Sequence, residues 1–361
     1  MSKTILIMAG GTGGHVFPGL AVANELVARG WTVHWLGTPT RMEAELVPKA
    51  GFEISFIDVV GVRGNGLMRL LKAPFQIIRA VRQASKVLNR IAPNVVLGMG
   101  GFASGPGGVA AWLKGVPLVV HEQNAVPGMT NKLLAKIANR VLLGFNTGFS
   151  QLQHTQEKYH WVGNPVRDDF AKIPAKIVHG APTKILIVGG SLGAKALNDN
   201  VPKALAGIKE IEVRHQTGKG HAEAVQNAYQ RCVDKDCHWQ VMEFIDDMAN
   251  AYDWADIVIC RAGALTVAEV AMVGVTAIFV PLPHAVDDHQ TKNAQALASH
   301  GAAYLLPQTE LENGQLTTLL KHIIDNSAAR IEMGQRARKL AKTDATEMVS
   351  NICENLGDLA A

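Results

Sequence analysis

The sequence predicts an α/β protein built from two Rossmann-like, doubly wound parallel-sheet domains that face each other across a cleft. An isoleucine-rich run followed by a glycine turn occurs twice, as TILIMAGGTGG at residues 4–14 and as KILIVGGSLGA at residues 184–194. Each half of the chain alternates strand-like and helix-like segments, which is the pattern of a parallel sheet. With 361 residues the chain is also longer than one hydrophobic core usually supports.

The first half begins with a strand at residues 4–9 and its glycine turn. We expect the next helix to open near Pro18 and to close at Gly30, because proline suits the first turn of a helix and glycine the position just past its end. Further strands are predicted at the runs WTVHWLG, VVLGMGG and PLVVHEQN.

The second half repeats this scheme, with strands predicted at KILIVGG, EVRHQTG, WQVMEF, DIVICRAGA and AIFVPLP. Asn164 and Pro165 interrupt the pattern. We therefore expect a first domain at residues 1–163 and a second at 164–343, with a last helix at about residues 344–357 that packs back on the first domain.

Charge is divided unevenly between the two halves. Residues 1–163 carry 16 Lys and Arg against 7 Asp and Glu, whereas residues 164–361 carry 19 against 24. Residues 59–121 contain eight basic side chains and no acidic one. Such a block predicts an anionic partner, although no nucleic-acid motif accompanies it.

Targeting signals are not evident. We find no signal peptide and no apolar run long enough to span a membrane, so we expect a cytoplasmic location. The four cysteines form no metal-type pairs, which fits a reducing compartment.

The glycine turns are suited to phosphate, because a turn that leads into a helix presents backbone amides and the positive end of the helix dipole. They do not match the dinucleotide fingerprint, since Val16 stands where the third glycine should be, and no Walker lysine follows.

A sugar nucleotide fits these turns better than a dinucleotide does. Glu269, on a helix after the strand DIVIC, could accept both ribose hydroxyls; the alternative is a solvated helix glutamate. The histidines and aspartates of residues 284–289 match no metal-ligand spacing.

Seven motifs follow one another in order: GGTGGH (10–15), GMGGFASGPGG (98–108), HEQN (121–124), GNPVR (163–167), GGSLGA (189–194), EFIDDM (243–248) and GALTVAE (263–269). Together, from about residue 4 to about residue 345, they resemble the MurG family. Enzymes of this family add N-acetylglucosamine (GlcNAc) to lipid I, undecaprenyl-pyrophosphoryl-MurNAc-pentapeptide, to give lipid II for peptidoglycan synthesis.

The resemblance implies a GT-B fold and an inverting transfer to the C4 hydroxyl of MurNAc, with neither metal nor cofactor. It implies UDP-GlcNAc as sugar donor, lipid I as acceptor and a peripheral position on the cytoplasmic face of the inner membrane. It leaves open contacts with cell-wall and division proteins. Two alternatives remain: another GT-B enzyme such as a UDP-GlcNAc 2-epimerase, and a non-catalytic sugar-nucleotide-binding subunit.

Binding residues are likewise implied by the resemblance. Ser191 would face the diphosphate, the Ile245 backbone would read uracil and Glu269 would hold the ribose. The residues implied at the phosphates are Ala264, Leu265, Thr266, Val267 and Ala268. Those implied at the sugar or across the cleft are Gln290, Asn124 and Arg167. Those implied near the donor sugar and the acceptor diphosphate are Thr12, Gly13 and Gly14. Two positions depart from the family pattern: Leu192 replaces a glutamine and Ala262 replaces a serine.

The inverting reaction calls for a base that takes the proton of the attacking hydroxyl. An imidazole suits this task near neutral pH. We predict His15, directly after the first glycine turn, as this base; the alternative is that His15 only orients the acceptor. His121 and Glu122 are weaker candidates for the base, and we expect them rather to support Asn124.

The acid-free block predicts a membrane-facing patch. Its apolar members recur at helical spacing and its basic members flank them: Leu71, Phe75, Ile78 and Val81, with Arg69, Lys72, Arg79 and Arg82, joined by Trp112 and Lys136. The alternative is a core-facing stripe under a solvated basic face. The single sign of charge and the lipid-linked acceptor favour an anionic membrane surface.

Overall fold

The computed structural model describes residues 3–59, 67–146, 157–177, 180–190, 192–283 and 288–359, with no side chains described at 67–73. The chain divides into two compact units, residues 1–167 with 342–361 and residues 168–341. The first unit thus extends four residues beyond the expected boundary at residue 163.

In the described part of the first unit, seven strands form one parallel sheet. Its strands are β1 (Thr4–Ala9), β2 (Thr32–Gly37), β3 (Glu53–Phe56), β4 (Val95–Gly100), β5 (Leu118–Glu122), β6 (Arg140–Leu143) and β7 (Tyr159–Trp161). Its helices are α1 (Gly13–Ala28), α2 (Glu43–Lys49), α3 (Leu67–Ile91), α4 (Ser104–Leu113), α5 (Met129–Ile137) and, from the end of the chain, α15 (Ala345–Leu359).

The described part of the second unit holds a six-stranded parallel sheet. Its strands are β8 (Thr183–Val188), β9 (Ile211–Gln216), β10 (His238–Met242), β11 (Ile257–Cys260), β12 (Thr276–Phe279) and β13 (Tyr304–Leu305). Its helices are α6 (Asp168–Ala171), α7 (Lys195–Ala204), α8 (Ala222–Cys232), α9 (Met248–Trp254), α10 (Ala264–Val273), α11 (His289–Ala298), α12 (Gln308–Glu312), α13 (Gln315–Asp325) and α14 (Ser327–Leu340).

Strand β1 explains why the first sheet is covered on both faces. Successive side chains of a strand point to opposite faces. Ile5 and Ile7 lie in one core cluster with α1 and α15, whereas Leu6 and Met8 lie in a second cluster with α3, α4 and α5. The continuous apolar run ILIM is therefore buried on both sides, as is typical of parallel sheets.

Helix α1 begins five residues earlier than the sequence led us to expect. It starts at Gly13, after an extended N-cap at Thr12, and Pro18 lies inside it rather than in its first turn. A proline ring removes one amide donor and crowds the preceding turn, but here it is tolerated within a buried helix. The consequence is that Gly13, Gly14 and His15 form the first turn of α1, at the end of β1.

Helix α15 belongs to the first unit by its contacts. It packs on α1 and β4. The Trp31 indole Nε1 donates to Glu354 over 2.9 Å, and Arg29 pairs with the same carboxylate at 2.5 Å. Gly357 lies so close to Trp31 that a Cβ there would come within 2.6 Å of the ring.

Candidate active site

Both sheets have a point at which the strand order reverses, and both glycine turns lie there. The orders are β3-β2-β1-β4-β5-β6-β7 and β10-β9-β8-β11-β12-β13, so the reversals fall between β1 and β4 and between β8 and β11. Ligands of open parallel sheets bind at this point, beyond the carboxyl ends of the strands. The turns at residues 10–14 and 189–193 directly follow β1 and β8.

A buried carboxylate holds the first glycine turn in place. Glu43, on α2, is fully buried and accepts from the Gly11 amide over 2.9 Å and from the Thr38 hydroxyl over 2.7 Å. A Cβ on Gly10 would come within 2.4 Å of the same carboxylate. Sequence reasoning missed Glu43, because nothing in its local pattern points to a turn 32 residues earlier.

The loop after β4 packs directly on this turn. Gly101, at φ 87°, lies so close to Gly10 that a Cβ would meet the Gly10 carbonyl oxygen at 2.3 Å. The Ser104 hydroxyl accepts from the Gly100 amide over 3.1 Å and lies 2.9 Å from the Met8 carbonyl oxygen, to which it can donate. Together these contacts fix the two loops that flank the reversal point of the first sheet.

His15 lies between these loops and the end of β5. Its ring is packed so closely on Gly100 that a Cβ there would approach it to 2.9 Å. Its Nδ1 lies 3.0 Å from Oε1 of the buried Gln123. An amide oxygen only accepts, so in this arrangement Nδ1 carries the proton and Nε2 keeps its lone pair. Thr12 is exposed at the N-cap, next to the first amides of α1.

Asn124 is held by Glu122, as we expected. The Glu122 carboxylate, itself buried, accepts from the Asn124 amide over 2.9 Å and from the Asn131 side chain over 2.8 Å. His121 has a different role, because its Nε2 contacts the Gly163 carbonyl oxygen at 2.9 Å rather than Asn124. Burial lowers the pKa of His121 to about 4, so its ring is neutral at pH 7.

Arg167 is brought to the first helix. Its guanidinium lies 5.1 Å from the centre of the Phe17 ring, in cation–π geometry. Phe17 follows His15 by two residues on α1. Arg167 is far from the glycine turn in the sequence. The structure nevertheless places it on the same side of the first unit as that turn.

The second glycine turn is held by the amide side chain of Gln216, at the end of β9. Its Oε1 accepts from the Gly190 amide over 3.0 Å, while its Nε2 donates to the carbonyl oxygens of Gly190 and Glu243, each over 2.9 Å. Sequence reasoning missed this residue. Ser191 lies outside the described residues. Leu192 is 87% exposed, so the replacement of glutamine by leucine removes no buried contact.

The loop after β9 supports the same turn from the other side. A Cβ on Gly218, at φ 83°, would come within 2.3 Å of the Gly193 amide nitrogen. The Asn198 side chain donates to the Thr217 carbonyl oxygen over 3.0 Å and faces Nε2 of the buried His215 at 3.1 Å. Burial lowers the pKa of His215 to about 3.

Helix α10 begins beyond the end of β11, with Gly263 as its extended N-cap. The first amides of a helix have no partner within it, so those of Ala264 and Leu265 can face a ligand. Thr266 and Ala268 are partly exposed, but Val267 is buried and its amide donates to the Gly263 carbonyl oxygen over 2.9 Å. The structure therefore does not present Val267 to a ligand.

Glu269 is 8% exposed. The interpretation as a solvated helix glutamate is therefore wrong. Glutamate side chains are rarely buried, so Glu269 stays the predicted ligand of the ribose hydroxyls.

Arg261 shapes the loop that follows β12. Its Nη1 donates to the carbonyl oxygens of Val280 and Pro281, each over 3.0 Å, and its Nη2 donates to Gln308 over 2.9 Å.

Two further predicted site residues of the second unit are Gln290 and Ile245. The Gln290 side chain accepts from the Leu282 amide over 2.9 Å. Ile245 is buried in the loop after β10. Within the described residues, no group of three or more His, Cys, Asp or Glu side chains is arranged to hold a metal ion.

Helix α3 exposes part of the predicted patch and buries another part. Phe75 is 76% exposed and Ile78 is exposed beside it, whereas Val81 is partly buried against the core next to Ala84. Val81 is thus wrongly assigned to the patch, because it lies on the core-facing side of the helix. Leu71, Arg69 and Lys72 lie where no side chains are described.

Trp112, predicted as part of the patch, is 53% exposed on α4. Its neighbour Lys114 donates to Asn89, near the end of α3, about 21 Å along the helix from Phe75 at 1.5 Å per residue. Arg82 and Lys136 are exposed, and Arg79 pairs with Asp58 at 3.0 Å. No described helix is long and apolar enough to cross a membrane.

The domain matches decide the family. Residues 5–143 match the glycosyltransferase family 28 N-terminal domain, and residues 184–349 match the glycosyltransferase family 28 C-terminal domain. The chain belongs to glycosyltransferase family 28. Its two parallel-sheet units are those of the GT-B fold, and family 28 membership makes it a hexosyltransferase.

Named relatives of this family 28 chain align with it along its whole length. A protein of Pseudoalteromonas atlantica is 62% identical and covers 100% of this chain and 97% of its own. One of Aeromonas hydrophila is 58% identical and covers 99% and 98%. Both are named UDP-N-acetylglucosamine--N-acetylmuramyl-(pentapeptide) pyrophosphoryl-undecaprenol N-acetylglucosamine transferase.

Solved structures agree with this assignment. Acinetobacter baumannii MurG is 42% identical, with a TM-score of 0.81 over 98% of this chain and 99% of that one. UDP-GlcNAc 2-epimerase from Neisseria meningitidis, bound to UDP-GlcNAc, has a TM-score of 0.68 over 98% and 100% of the two chains, at 12% identity. The second similarity concerns the fold alone.

Proposed function

We propose that this chain transfers GlcNAc from UDP-GlcNAc to the C4 hydroxyl of MurNAc in lipid I, with inversion at the anomeric carbon, to give lipid II. The full-length identity of 62% and 58% to transferases named for this reaction supports it. The structural observation that carries the proposal is the pair of glycine turns, one at the reversal point of each sheet, each held by a buried polar side chain, Glu43 or Gln216.

The second unit is proposed to hold the sugar donor. Glu269 would accept hydroxyls of the ribose, and the Ile245 backbone would read uracil. The turn at residues 189–193, Ser191 included, and the start of α10 at Ala264 would receive the diphosphate. Leu265, Thr266 and Ala268 belong to the same helix start. Gln290 and, from the first unit, Asn124 and Arg167 would contact the sugar.

The leaving group is proposed to be stabilised without a metal ion. As the bond from the anomeric carbon to the diphosphate oxygen breaks, negative charge grows on UDP and positive charge grows on the sugar ring. Backbone amides at the starts of α7 and α10 would offset the charge on UDP, because helix N-termini favour anions. Donors fixed before the reaction stabilise developing charge without having to reorganise.

The first unit is proposed to activate the acceptor. The C4 oxygen attacks the anomeric carbon as its proton passes to Nε2 of His15, the ring nitrogen that the Gln123 contact leaves with a lone pair. The imidazolium so formed carries its second proton on Nδ1, still donated to Gln123. Thr12, Gly13 and Gly14, at the positive end of α1, would approach the acceptor diphosphate.

Membrane association is proposed through the start of α3. The acceptor is lipid-linked, and the exposed side chains of Phe75 and Ile78 lie on a helix rich in Arg and Lys. An apolar face flanked by basic residues binds anionic bilayers. Arg82 and Lys136 would add charge, and the side chains of Leu71, Arg69 and Lys72 belong to the proposal from the sequence alone.

The function is tested by incubating the purified chain with radiolabelled UDP-GlcNAc and a short-chain lipid I analogue, with and without EDTA. We expect labelled disaccharide-lipid in both tubes. Release of free epimerised sugar would indicate an epimerase instead. Binding of UDP-GlcNAc without any transfer would indicate a non-catalytic subunit, and loss of transfer in EDTA would refute the metal-free leaving-group mechanism.

A further inference from the structure

A cavity lies in the second unit, at the edge of its sheet where the strands begin. It is open to solvent on one side, has a volume of about 510 Å³ and is lined by Thr183 at the start of β8, by residues 207–210 before β9 and by Ser327 at the start of α14. This edge is opposite the one that carries the turn at residues 189–193. The cavity is large enough for a small organic ligand, since such sites usually measure about 300–1,000 Å³.

Arg330 is the side chain that distinguishes this cavity. It lines the cavity but is only 5% exposed, and its carbonyl oxygen accepts from the Thr276 hydroxyl over 2.6 Å, which fixes its position. Its Nε and Nη1 are buried and have no hydrogen-bond partner within the described part of the chain. A buried guanidinium charge without a counter-charge is strongly unfavourable.

The acidic residues nearby do not supply that counter-charge. Glu210 and Asp325 both line the cavity. Among the described residues, however, no ion pair joins either carboxylate to Arg330. Arg330 therefore has no carboxylate of the described residues within ion-pair distance.

Two further features add positive potential. Lys209 and Lys321 line the cavity, and both are exposed at its rim. Helix α14, 14 residues long, begins at the cavity wall, and the side chain of its N-cap Asn326 accepts from the Ala329 amide. The amides of Ser327 and Ala328 have no partner within the helix, so its positive end is open to an anion.

We infer that this cavity binds a soluble small molecule that bears a phosphate group, with the phosphate against Arg330. Guanidinium matches a phosphate in charge and geometry, and a helix start with two lysines completes a phosphate site. The volume leaves room for an organic body beside the phosphate. The inference does not depend on the proposed function, because it uses none of the residues assigned to sugar transfer.

The test is calorimetric titration of the full chain, with UDP saturating the proposed donor site. Inorganic phosphate and ribose 5-phosphate are the probes, at constant ionic strength, with sodium chloride as the reference. We expect one equivalent of each probe to bind the wild type and none to bind Arg330→Met. Lys209→Gln with Lys321→Gln should weaken binding by about tenfold, the size of a lost contact to a charged group. Lys339→Gln, at the far end of α14, is the matched control and should bind normally.

Circular dichroism and UDP affinity check that Arg330→Met is folded, and the double lysine variant tests the site without touching a buried residue. Three results would overturn the inference: no uptake of either probe by the wild type, uptake unchanged by both sets of substitutions, or uptake that chloride displaces equally well. Binding to phosphatidate vesicles but to neither soluble probe would also overturn it, since the ligand would then be a lipid headgroup.

Discussion

Nδ1 of His15 lies 3.0 Å from Oε1 of Gln123, a buried residue at the end of β5, 108 positions away in the chain. This contact assigns the proton to Nδ1 and leaves Nε2 with the lone pair that the proposed base needs. In the proposed mechanism Gln123 is a positioning residue, which would act on the acceptor only through the imidazole.

We predict that Gln123→Leu lowers kcat by about 10- to 100-fold, because the imidazole loses the acceptor that fixes its tautomer. The dissociation constant for UDP-GlcNAc should not change. Gln123→Glu keeps an acceptor at this position and should restore much of the rate. Steady-state rates from pH 5 to 9 check this, and an unchanged kcat in Gln123→Leu would refute the positioning role.

Glu269 gives a prediction about the ribose. Wild type should bind UDP at least about tenfold more tightly than 2′,3′-dideoxy-UDP, because the analogue leaves the buried carboxylate without hydroxyl partners. In Glu269→Ala the two ligands should bind about equally. Calorimetry on both proteins gives the ratio, with the exposed Glu332→Ala as control. A ratio that persists in Glu269→Ala would remove Glu269 from the ribose site.

The membrane patch is tested by placing acidic side chains at its exposed apolar positions. Phe75→Glu with Ile78→Glu should reduce sedimentation with anionic vesicles by about tenfold or more, since both apolar side chains are exposed. Activity on a soluble, short-chain acceptor should be unchanged. Val27→Glu is the matched control, because Val27 is an exposed apolar side chain on a different helix, α1. Equal vesicle binding by the Phe75/Ile78 variant and the control would argue against this surface.

The buried ring of His215 predicts that the folded protein loses stability as the pH is lowered. Burial lowers the pKa of His215 to about 3, whereas an unfolded histidine has a pKa of about 6.5. Between these values the unfolded chain binds a proton that the folded chain does not, so the free energy of unfolding falls as pH is lowered through this window. His215 therefore contributes about 5 kcal/mol to the free energy of unfolding that is lost across this window, at 1.36 kcal/mol per pKa unit.

Urea unfolding followed at pH 7, 5 and 4 measures this effect. His215→Gln should be less stable than wild type at pH 7, because its contacts with Tyr229 and Asn198 change, but should lose less stability on acidification. His322→Gln, at an exposed position, should follow the wild-type profile. A His215→Gln profile parallel to the wild type would show that this ring does not titrate on unfolding.

Local patterns were enough to predict the strands and turns that place the site. TILIMA and TKILIV are buried on both faces of parallel sheets, and apolar runs before glycine turns carry that signal in adjacent residues. The start of α1 was misplaced, because Gly13 and Gly14 are poor helix formers and Pro18 is a typical first-turn residue. Tertiary packing overrode both preferences.

What the sequence did not reveal depends on contacts between distant residues. Glu43 and Gln216 hold the two glycine turns from 32 and 26 positions away, and neither lies in a recognisable motif. Val81 fits the apolar spacing of the patch, yet it lies on the core side of α3, since a helix turns about 100° per residue and only packing selects the buried face. Glu269 could be assigned to a buried position only from the structure.

In the proposed mechanism His15 removes the acceptor proton while other residues hold the sugar donor. Single-turnover transfer by His15→Ala, with UDP-GlcNAc saturating and a short-chain lipid I analogue, tests it most directly. We predict that the rate of transfer falls by about 10²- to 10⁴-fold, the usual contribution of a general base, while the affinity for UDP-GlcNAc stays within about twofold of wild type. A transfer rate close to that of the wild type would contradict the assignment of His15 as base.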